Sequence, residues 1–504
     1  MKRVALLIIG VAMAISVCTA TKTQPNVIFI FADDQRYNSL GITGDPVTQT
    51  PNIDQLAKEG VFFDQAVITS PICGPSRANI FTGQWERKNK IGFCSYSKNV
   101  VSEEAFANSW LMQLKKAGYS TAFIGKHHTT IVNREDRPLR ENIDFCYFAK
   151  GHLNFHPADR HKVFSNLKNK TQIEGLFEAT EAYLRQDASR DYFFENIDSS
   201  FRECVARRDI NKPFCAWINF NLPHASSIGS MGQREDDPEM YKSLYADRKG
   251  DIPLPEGFPL EVNLPDNVLT HDDLMKYYKV DNEAALINKK MKMCRAVHGI
   301  DAYVGKLRQL LKDIGEADNT IIIYCSDNGL LLGEHGLGGK TILYDENVHV
   351  PLIVYSPFLK KKNCGVVNSN LVVGQDIPAT ILDMCGVEVP ETYQSQSFLP
   401  LLEGKKVKWR EDVFCENLFT DQGYPRQEGV RSKEWKYIRS FSKKHDRLAY
   451  LPQGIEGEEP IYEELFNLID DPKEEHNLAS DAKYAEILEK YRLRCDELVN
   501  YYQK

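Results

Sequence analysis

Residues 26–34 read Asn-Val-Ile-Phe-Ile-Phe-Ala-Asp-Asp, an apolar run that ends in two carboxylates. The run is apolar at every position from Val27 to Phe31, which is typical of a strand covered on both faces. Four similar runs follow along the chain, at 121–124, 214–220, 320–325 and 351–355. Segments with helical spacing separate them. The sequence therefore predicts an α/β fold with a large, mostly parallel sheet sandwiched between helices.

The alternation of apolar runs with helical segments ends after about residue 404. Segments 430–438 and 464–468 are typical of antiparallel strands, and residues 481–502 have the spacing of an amphipathic helix. A chain of 504 residues is long enough for two units. We predict an α/β catalytic domain over residues 21–405 and a smaller α+β subdomain over 406–504, with an antiparallel sheet and a terminal helix.

The first twenty residues have the features of a secretory signal peptide. Lys2 and Arg3 precede an apolar run from Val4 to Val17, and small residues follow it. About fourteen apolar residues are few for a membrane span. We predict a signal peptide over residues 1–20, export to the periplasm or beyond, and no transmembrane segment in the mature chain. Lipid anchoring through Cys18 is the second alternative, because Val17 is bulky for the position before a lipidated cysteine.

Charge and cysteine content narrow the possible partners. The formal net charge is −8, and an acidic protein is a poor general binder of nucleic acid, so no nucleic-acid partner is expected. Any site for an anion must therefore concentrate its cations locally. The twelve cysteines include no C-x-x-C pair that would suggest zinc. Cys215 and Cys325 fall in apolar runs and are interpreted as packed thiols, and no particular disulfide is predicted.

Four of the predicted strands end in residue types that an active site would use. These ends read Asp33-Asp34, Gly125-Lys126-His127-His128, Asn221-Leu222-Pro223-His224 and Ser326-Asp327-Asn328-Gly329. Ligands of open α/β sheets bind beyond the carboxyl ends of the strands. We therefore expect the four ends to meet at one crevice.

Two of these ends offer only oxygen donors, which suit Ca²⁺ or Mg²⁺ rather than structural zinc. They are Asp33, Asp34, Asp327 and Asn328. A turn or a helix cap would explain either acidic pair alone. Two such pairs after two buried strands favour a metal site, because three carboxylates would repel one another without a cation.

The stretch Cys73-Gly-Pro-Ser-Arg77 is a further candidate for part of the active site. Pro75 suits the first turn of a helix, where its missing N–H costs nothing. Cys73 and Arg77 are four residues apart and would share one helix face. Free N–H groups at a helix start and a guanidinium suit an anion. The alternative for Cys73 is a buried structural thiol or half of a disulfide.

This stretch, followed by Thr82-Gly83, resembles the signature of the type I sulfatases, members of the alkaline-phosphatase-like superfamily. The two acidic strand ends match that family's metal-binding segments. Residues 118–128 resemble its G-Y-x-T-x-x-x-G-K-W-H segment, with His127 in place of tryptophan as a packing substitute. Pro-His at 223–224 and the glycine-rich segment 336–340, ending in Lys340, also match. The resemblance is weakest at 136–209 and 226–282, which are interpreted as insertions over the site.

The resemblance implies a specific chemistry. A maturation enzyme oxidises Cys73 to formylglycine, whose hydrate attacks sulfur. One calcium ion is held by Asp33, Asp34, Asp327, Asn328 and the converted Cys73. Arg77, Lys126 and Lys340 stabilise the transferred group. His128 acts as base on the second hydroxyl of the hydrate, which expels sulfate as the aldehyde re-forms, and His224 protonates the leaving alcohol. The implied substrate is a sulfate ester on a sulfated carbohydrate, of glycosaminoglycan or mucin type.

Two alternatives stay open at this point. One is a phosphoester or phosphonate monoester hydrolase of the same superfamily, although many such enzymes use Ser or Thr with two zinc ions. The other is a non-catalytic glycan-binding relative, which would be expected to lack Cys73, Arg77 or one of the acids. The oxygen-rich set for a single metal favours sulfate.

Overall fold

The computed structural model describes residues 24–92, 100–129, 137–186, 208–269, 278–418, 424–442 and 458–504. The predicted signal peptide and Cys18 lie outside the described residues. Within the described ranges, no helix combines the length and the apolar character needed to cross a membrane.

An eight-stranded sheet forms the centre of the fold. In spatial order its strands are β11 (Val366–Asn368), β2 (Val61–Phe63), β10 (Leu352–Tyr355), β7 (Thr320–Ser326), β1 (Asn26–Asp33), β6 (Phe214–Pro223), β4 (Ser120–His127) and β5 (Phe145–Lys150). Only β10 runs antiparallel to its neighbours in this sheet. The predicted mostly parallel sheet is confirmed, and the carboxyl ends of β1, β4, β6 and β7 lie along one edge.

Helices cover both faces of this sheet, as predicted. One face packs against helices Pro51–Glu59, Gln172–Arg185 and Glu283–Asp313. The other packs against helices Cys73–Thr82, Trp110–Lys116 and Asp376–Met384. Shorter helices lie at Glu86–Asn89, Glu103–Ala107, Arg137–Asn142, Ala225–Ile228, Glu239–Lys242, Asp345–Val348 and Leu399–Leu402. Two-stranded ribbons pair β3 (Ala66–Val67) with β12 (Val372–Val373), and β8 (Leu331–Leu332) with β9 (Gly338–Gly339).

Trp217 packs in the apolar layer on the face of the sheet that helices Cys73–Thr82, Trp110–Lys116 and Asp376–Met384 cover. Its ring lies 5.9 Å from that of Phe29, 5.4 Å from Trp110 and 5.1 Å from Phe123. We expect Trp217→Ala to lower the free energy of unfolding by about 3–5 kcal/mol, because a large cavity replaces these contacts. Chemical denaturation measures the loss. The half-buried Trp435 is the control, and an equal loss in Trp435→Ala would contradict the prediction.

One predicted insertion is in fact part of this layered core. The segment 136–209 contains β5, which pairs with β4 at the edge of the sheet, and a helix that covers the sheet, Gln172–Arg185. The interpretation of that segment as an insertion is therefore wrong for these elements. The physical reason is that the first five residues of β5 are buried, so the strand completes the apolar layer rather than covering the site.

The C-terminal part contains the predicted antiparallel sheet and terminal helix. Its strands are β13 (Asp412–Asn417), β14 (Gln427–Ser432), β15 (Trp435–Ser440) and β16 (Tyr462–Asn467), followed by helix Ala485–Tyr502. Segment 430–438 was expected to be one strand, but it is the hairpin of β14 and β15. The domain boundary at residue 405 stays a prediction.

Buried ion pairs connect this sheet to the main domain. Arg431 Nη2 and Lys436 Nζ each lie 2.8 Å from a carboxylate oxygen of Asp345. Asp345 begins the short helix that follows the glycine-rich segment carrying Lys340. These contacts from the C-terminal sheet therefore stabilise the segment that carries Lys340.

Candidate active site

Arg77 connects three elements at the carboxyl edge of the sheet. It lies on helix Cys73–Thr82, and its side chain is almost completely buried. Its Nε donates to Asp327 Oδ2 at 2.9 Å, and its Nη1 donates to Asn219 Oδ1 at 2.8 Å. The guanidinium therefore orients one of the predicted metal ligands.

Two lysines pair with the acids that end β1. Lys126 Nζ forms a buried ion pair with Asp33, and Lys340 Nζ donates to Asp34 Oδ1 at 2.6 Å. Asp34 occupies the left-handed region, with φ of 63°. Three buried cations thus converge on this edge of an acidic protein, which is the local concentration that an anion site requires.

The polar residues that follow β1 and β7 are joined to one another by hydrogen bonds. Asp34 N donates to Asp327 Oδ1 at 3.2 Å, and Asn328 Nδ2 donates to Asp34 Oδ1 at 2.6 Å. Asp33 Oδ1 and Asn328 Oδ1 are buried and have no hydrogen-bond partner among the residues that the structure describes. A buried acceptor without a partner is costly. Oxygen donors of this kind fit a hard cation, and ligand atoms of Asp33, Asp34 and His224 lie within 4.8 Å of one another.

The charges in this set act strongly on one another. Burial by itself would raise the pKa of Asp33, but Lys126, His224 and Lys340 hold that pKa well below its usual value. Burial, together with Asp33, raises the pKa of Asp327 to about 7, while Arg77 opposes the rise. A bound dication would favour the charged form of both carboxyls.

Cys73 begins its helix beside this set of acids and cations. It is 1 % exposed, and its Sγ lies 3.1 Å from His128 Nδ1. Burial raises the pKa of the Cys73 thiol, although Lys126 and Lys340 act in the opposite direction. Burial, and after it Lys126, lowers the pKa of His128 well below its usual value. An unmodified thiol is therefore mostly protonated here.

The tautomer of His224 follows from its contacts. Its Nδ1 accepts from Ser226 N at 3.1 Å and lies 2.9 Å from Ser226 Oγ. A backbone N–H can only donate, so the neutral ring carries its proton on Nε2. That Nε2 lies 3.6 Å from Asp34 Oδ2. His224 therefore presents an N–H to the centre of the site.

All ten predicted site residues are thus brought to one edge of the sheet, and one more residue joins them. His152 follows β5, and its Nδ1 lies 3.4 Å from Lys126 Nζ. Burial, then Lys126 and His224, lowers the pKa of His152 to about 2. Sequence reasoning missed this residue because the segment was interpreted as an insertion. The signal was available, since Gly151-His152 follows an apolar run as the other polar strand ends do.

The unusual His127 has the packing role predicted for it. Its ring lies 5.6 Å from that of Phe123 and 5.0 Å from that of Phe148, edge-on in both cases. His127 thus faces the aromatic layer, while Lys126 and His128 face the acids and Cys73.

Comparison with solved structures identifies the class of fold. BT4656 in complex with its substrate D-glucosamine-2-N,6-O-disulfate superposes with a TM-score of 0.71 at 22% identity, over 95% of this chain and 98% of that one. A phosphonate monoester hydrolase of Agrobacterium radiobacter superposes with a TM-score of 0.68 at 19% identity, over 95% and 96%. This chain therefore shares its fold with these two proteins.

The family follows from the sequence match. Residues 25–387 match the Sulfatase family model, and residues 333–500 match the model "N-sulphoglucosamine sulphohydrolase, C-terminal". The chain therefore belongs to the sulfatase family and is a sulfuric ester hydrolase. The N-acetylglucosamine-6-O-sulfatase of Bacteroides thetaiotaomicron is 25% identical over 515 residues, which cover 92% of this chain and 84% of the relative.

Proposed function

We propose that this sulfatase hydrolyses sulfate esters on a sulfated carbohydrate of glycosaminoglycan or mucin type, with a formylglycine made from Cys73 and one calcium ion. The observation that carries the proposal is the position of Cys73. Its Sγ lies 3.1 Å from His128, at the edge of the sheet where, within the described part of the chain, two buried oxygen atoms have no hydrogen-bond partner. The relative that acts as an N-acetylglucosamine-6-O-sulfatase supports a carbohydrate substrate.

The environment of Cys73 favours a modified side chain over a thiolate. A cysteine nucleophile needs a lowered thiol pKa, whereas burial raises the pKa of Cys73. The hydrate of formylglycine would supply two hydroxyls, one to attack sulfur and a second that would lose its proton and expel sulfate as the aldehyde re-forms. His128 is close enough to accept a proton from a hydroxyl at the position of the sulfur, and its pKa, lowered by burial, keeps it in the neutral form of a base.

The metal would be held by Asp33, Asp34, Asp327, Asn328 and the converted Cys73. The unpartnered oxygens of Asp33 and Asn328 fit this assignment. When bound, calcium would polarise a sulfate oxygen and neutralise the acids. Arg77 Nε holds Asp327 Oδ2 at 2.9 Å, and the other carboxylate oxygen of Asp327 accepts from Asp34 N.

The remaining residues would act on the sulfate ester itself. Lys126 and Lys340 place ammonium groups beside Asp33 and Asp34, where charge develops on the transferred group. His224 presents its Nε2–H, which we assign to the leaving-group oxygen. The hydrogen bond or proton that it supplies stabilises the departing alcohol.

We expect Lys340→Ala to lower kcat by about a hundredfold or more, because a positioned charge donor is lost from the transition state. The variant also removes the ammonium group that pairs with Asp34 at 2.6 Å. Initial rates on 4-nitrophenyl sulfate measure the effect. Lys361→Ala, at an exposed position, is the control and should keep full activity. A kcat for Lys340→Ala within twofold of the wild type would contradict the assignment.

Substrate panels test the proposed function as a whole. Defined sulfated mono- and disaccharides should release inorganic sulfate, and aryl sulfates should react faster than the matching aryl phosphates and phosphonates. Faster phosphonate or phosphate hydrolysis would instead support the phosphoester or phosphonate hydrolase, which shares this fold. Binding of sulfated glycan with no release of sulfate would support the non-catalytic alternative.

We further propose that the protein is exported, to the periplasm or beyond, and that a formylglycine-generating enzyme acts on Cys73. Sequencing the N-terminus of the mature protein tests the first point. A start near residue 21 supports export through the predicted signal peptide, and a lipid on Cys18 would support the anchored alternative.

A further inference from the structure

His152 lies between two histidines of the candidate site. Its ring packs on that of His224, with centroids 4.3 Å apart and planes 29° apart. It meets His128 edge-on, with centroids 5.0 Å apart. Neither the sequence motifs nor the mechanism described so far uses His152, although it contacts the residues proposed for both proton transfers.

The side-chain amide of Asn221 connects His152 to Ser226, the residue that hydrogen-bonds to His224. Asn221 Nδ2 donates to Leu153 O and to Ser226 Oγ, each at 2.9 Å. These bonds turn Asn221 Oδ1 toward His152, whose Nδ1 lies 3.4 Å from it. The same Ser226 donates its backbone N–H to His224. The two histidines are therefore held by one connected group of side chains.

The hydrogen bonds to His224 Nδ1 do not fix the tilt of its ring. The covalent bond at Cγ and the hydrogen bonds at Nδ1 hold one edge of the His224 ring, and small changes in χ1 and χ2 would still displace the opposite atom, Nε2. The flat ring of His152 against one face of His224 opposes this displacement. A misplacement of about 1 Å at a reacting group can cost about a hundredfold in rate.

We propose that His152 is a positioning residue, which holds the ring of His224 by stacking so that Nε2–H points at the leaving-group oxygen. The inference rests on the proposed role of His224. The positioning role predicts that the loss of kcat in His152 variants depends on the leaving group. A poor leaving group develops more negative charge on its oxygen and therefore needs the hydrogen bond from His224 more. A purely structural role for His152 would affect all leaving groups alike.

The test compares His152→Ala with His152→Phe on a series of substituted phenyl sulfates. We expect His152→Ala to lower kcat on phenyl sulfate by about a hundredfold. On the activated 4-nitrophenyl sulfate we expect a loss at least tenfold smaller, in proportion to the smaller demand of that leaving group for a hydrogen bond. His152→Phe keeps a stacking ring and should keep most of the wild-type kcat. Combining His152→Ala with His224→Ala should add no further loss, because the two residues act as one unit.

Several outcomes would overturn the inference. They are an equal loss on every leaving group, an equal loss in His152→Phe and His152→Ala, a raised KM with unchanged kcat, and additive losses in the double variant. Thermal unfolding of each variant shows whether it is folded. Failure of the proposed function is distinguishable, since the wild-type enzyme would then release no sulfate. Failure of the role of His224 alone would appear as a His224→Ala variant whose loss does not depend on the leaving group.

Discussion

Cys73→Ala is expected to lower sulfate release on the order of a million-fold, which is the size of effect seen when a nucleophile is removed. The side chain at this position begins a helix and contacts His128 at 3.1 Å. Alanine fills the same place in the helix but lacks the thiol that the maturation enzyme would convert to an aldehyde. Inorganic sulfate released from a sulfated sugar or an aryl sulfate measures the effect.

Two further measurements separate this loss from damage to the fold. Mass spectrometry of the wild-type peptide that contains Cys73 should show the aldehyde or its hydrate. Cys364→Ala removes a partly exposed thiol elsewhere and should keep wild-type activity. An unmodified Cys73 in fully active enzyme, or full activity in Cys73→Ala, would end the formylglycine proposal.

Removal of calcium should abolish activity, and added calcium should restore it. Asp33→Asn should need far more calcium for the same rate, because it removes a full negative charge and leaves Lys126 without its buried partner. Calcium at a hundred times its dissociation constant should also stabilise the folded wild-type protein by about 3 kcal/mol. Activity and thermal unfolding, each measured across a calcium titration, give independent readouts.

Asp471→Asn is the matched control for this prediction. Asp471 belongs to a different and more exposed group of acidic and histidine side chains, in the segment that follows β16. That variant should keep both the calcium requirement and the calcium-dependent rise in melting temperature. Wild-type activity that survives chelation, or an identical calcium response in Asp33→Asn, would contradict the metal assignment.

The strands that carry the site were predictable because the residues within each strand are enough to identify it. Buried parallel strands are continuously apolar, so β1, β4, β6 and β7 stand out, and the polar residues at their ends follow directly. The hairpin of β14 and β15 was not predictable in the same way. Its turn at Lys433-Glu434 contains no glycine, proline or asparagine, so the segment has the character of one strand.

The sequence by itself determined the residue types of the site and the edge of the sheet that carries them, because strand direction and helix spacing are encoded locally. Only the tertiary structure decided the contacts between elements that are distant along the chain. Arg77 holds Asp327 across 250 positions, Ser226 sets the tautomer of His224, and His152 enters the site at the end of an edge strand. Such contacts depend on packing and hydrogen-bond geometry in three dimensions, which residue spacing does not express.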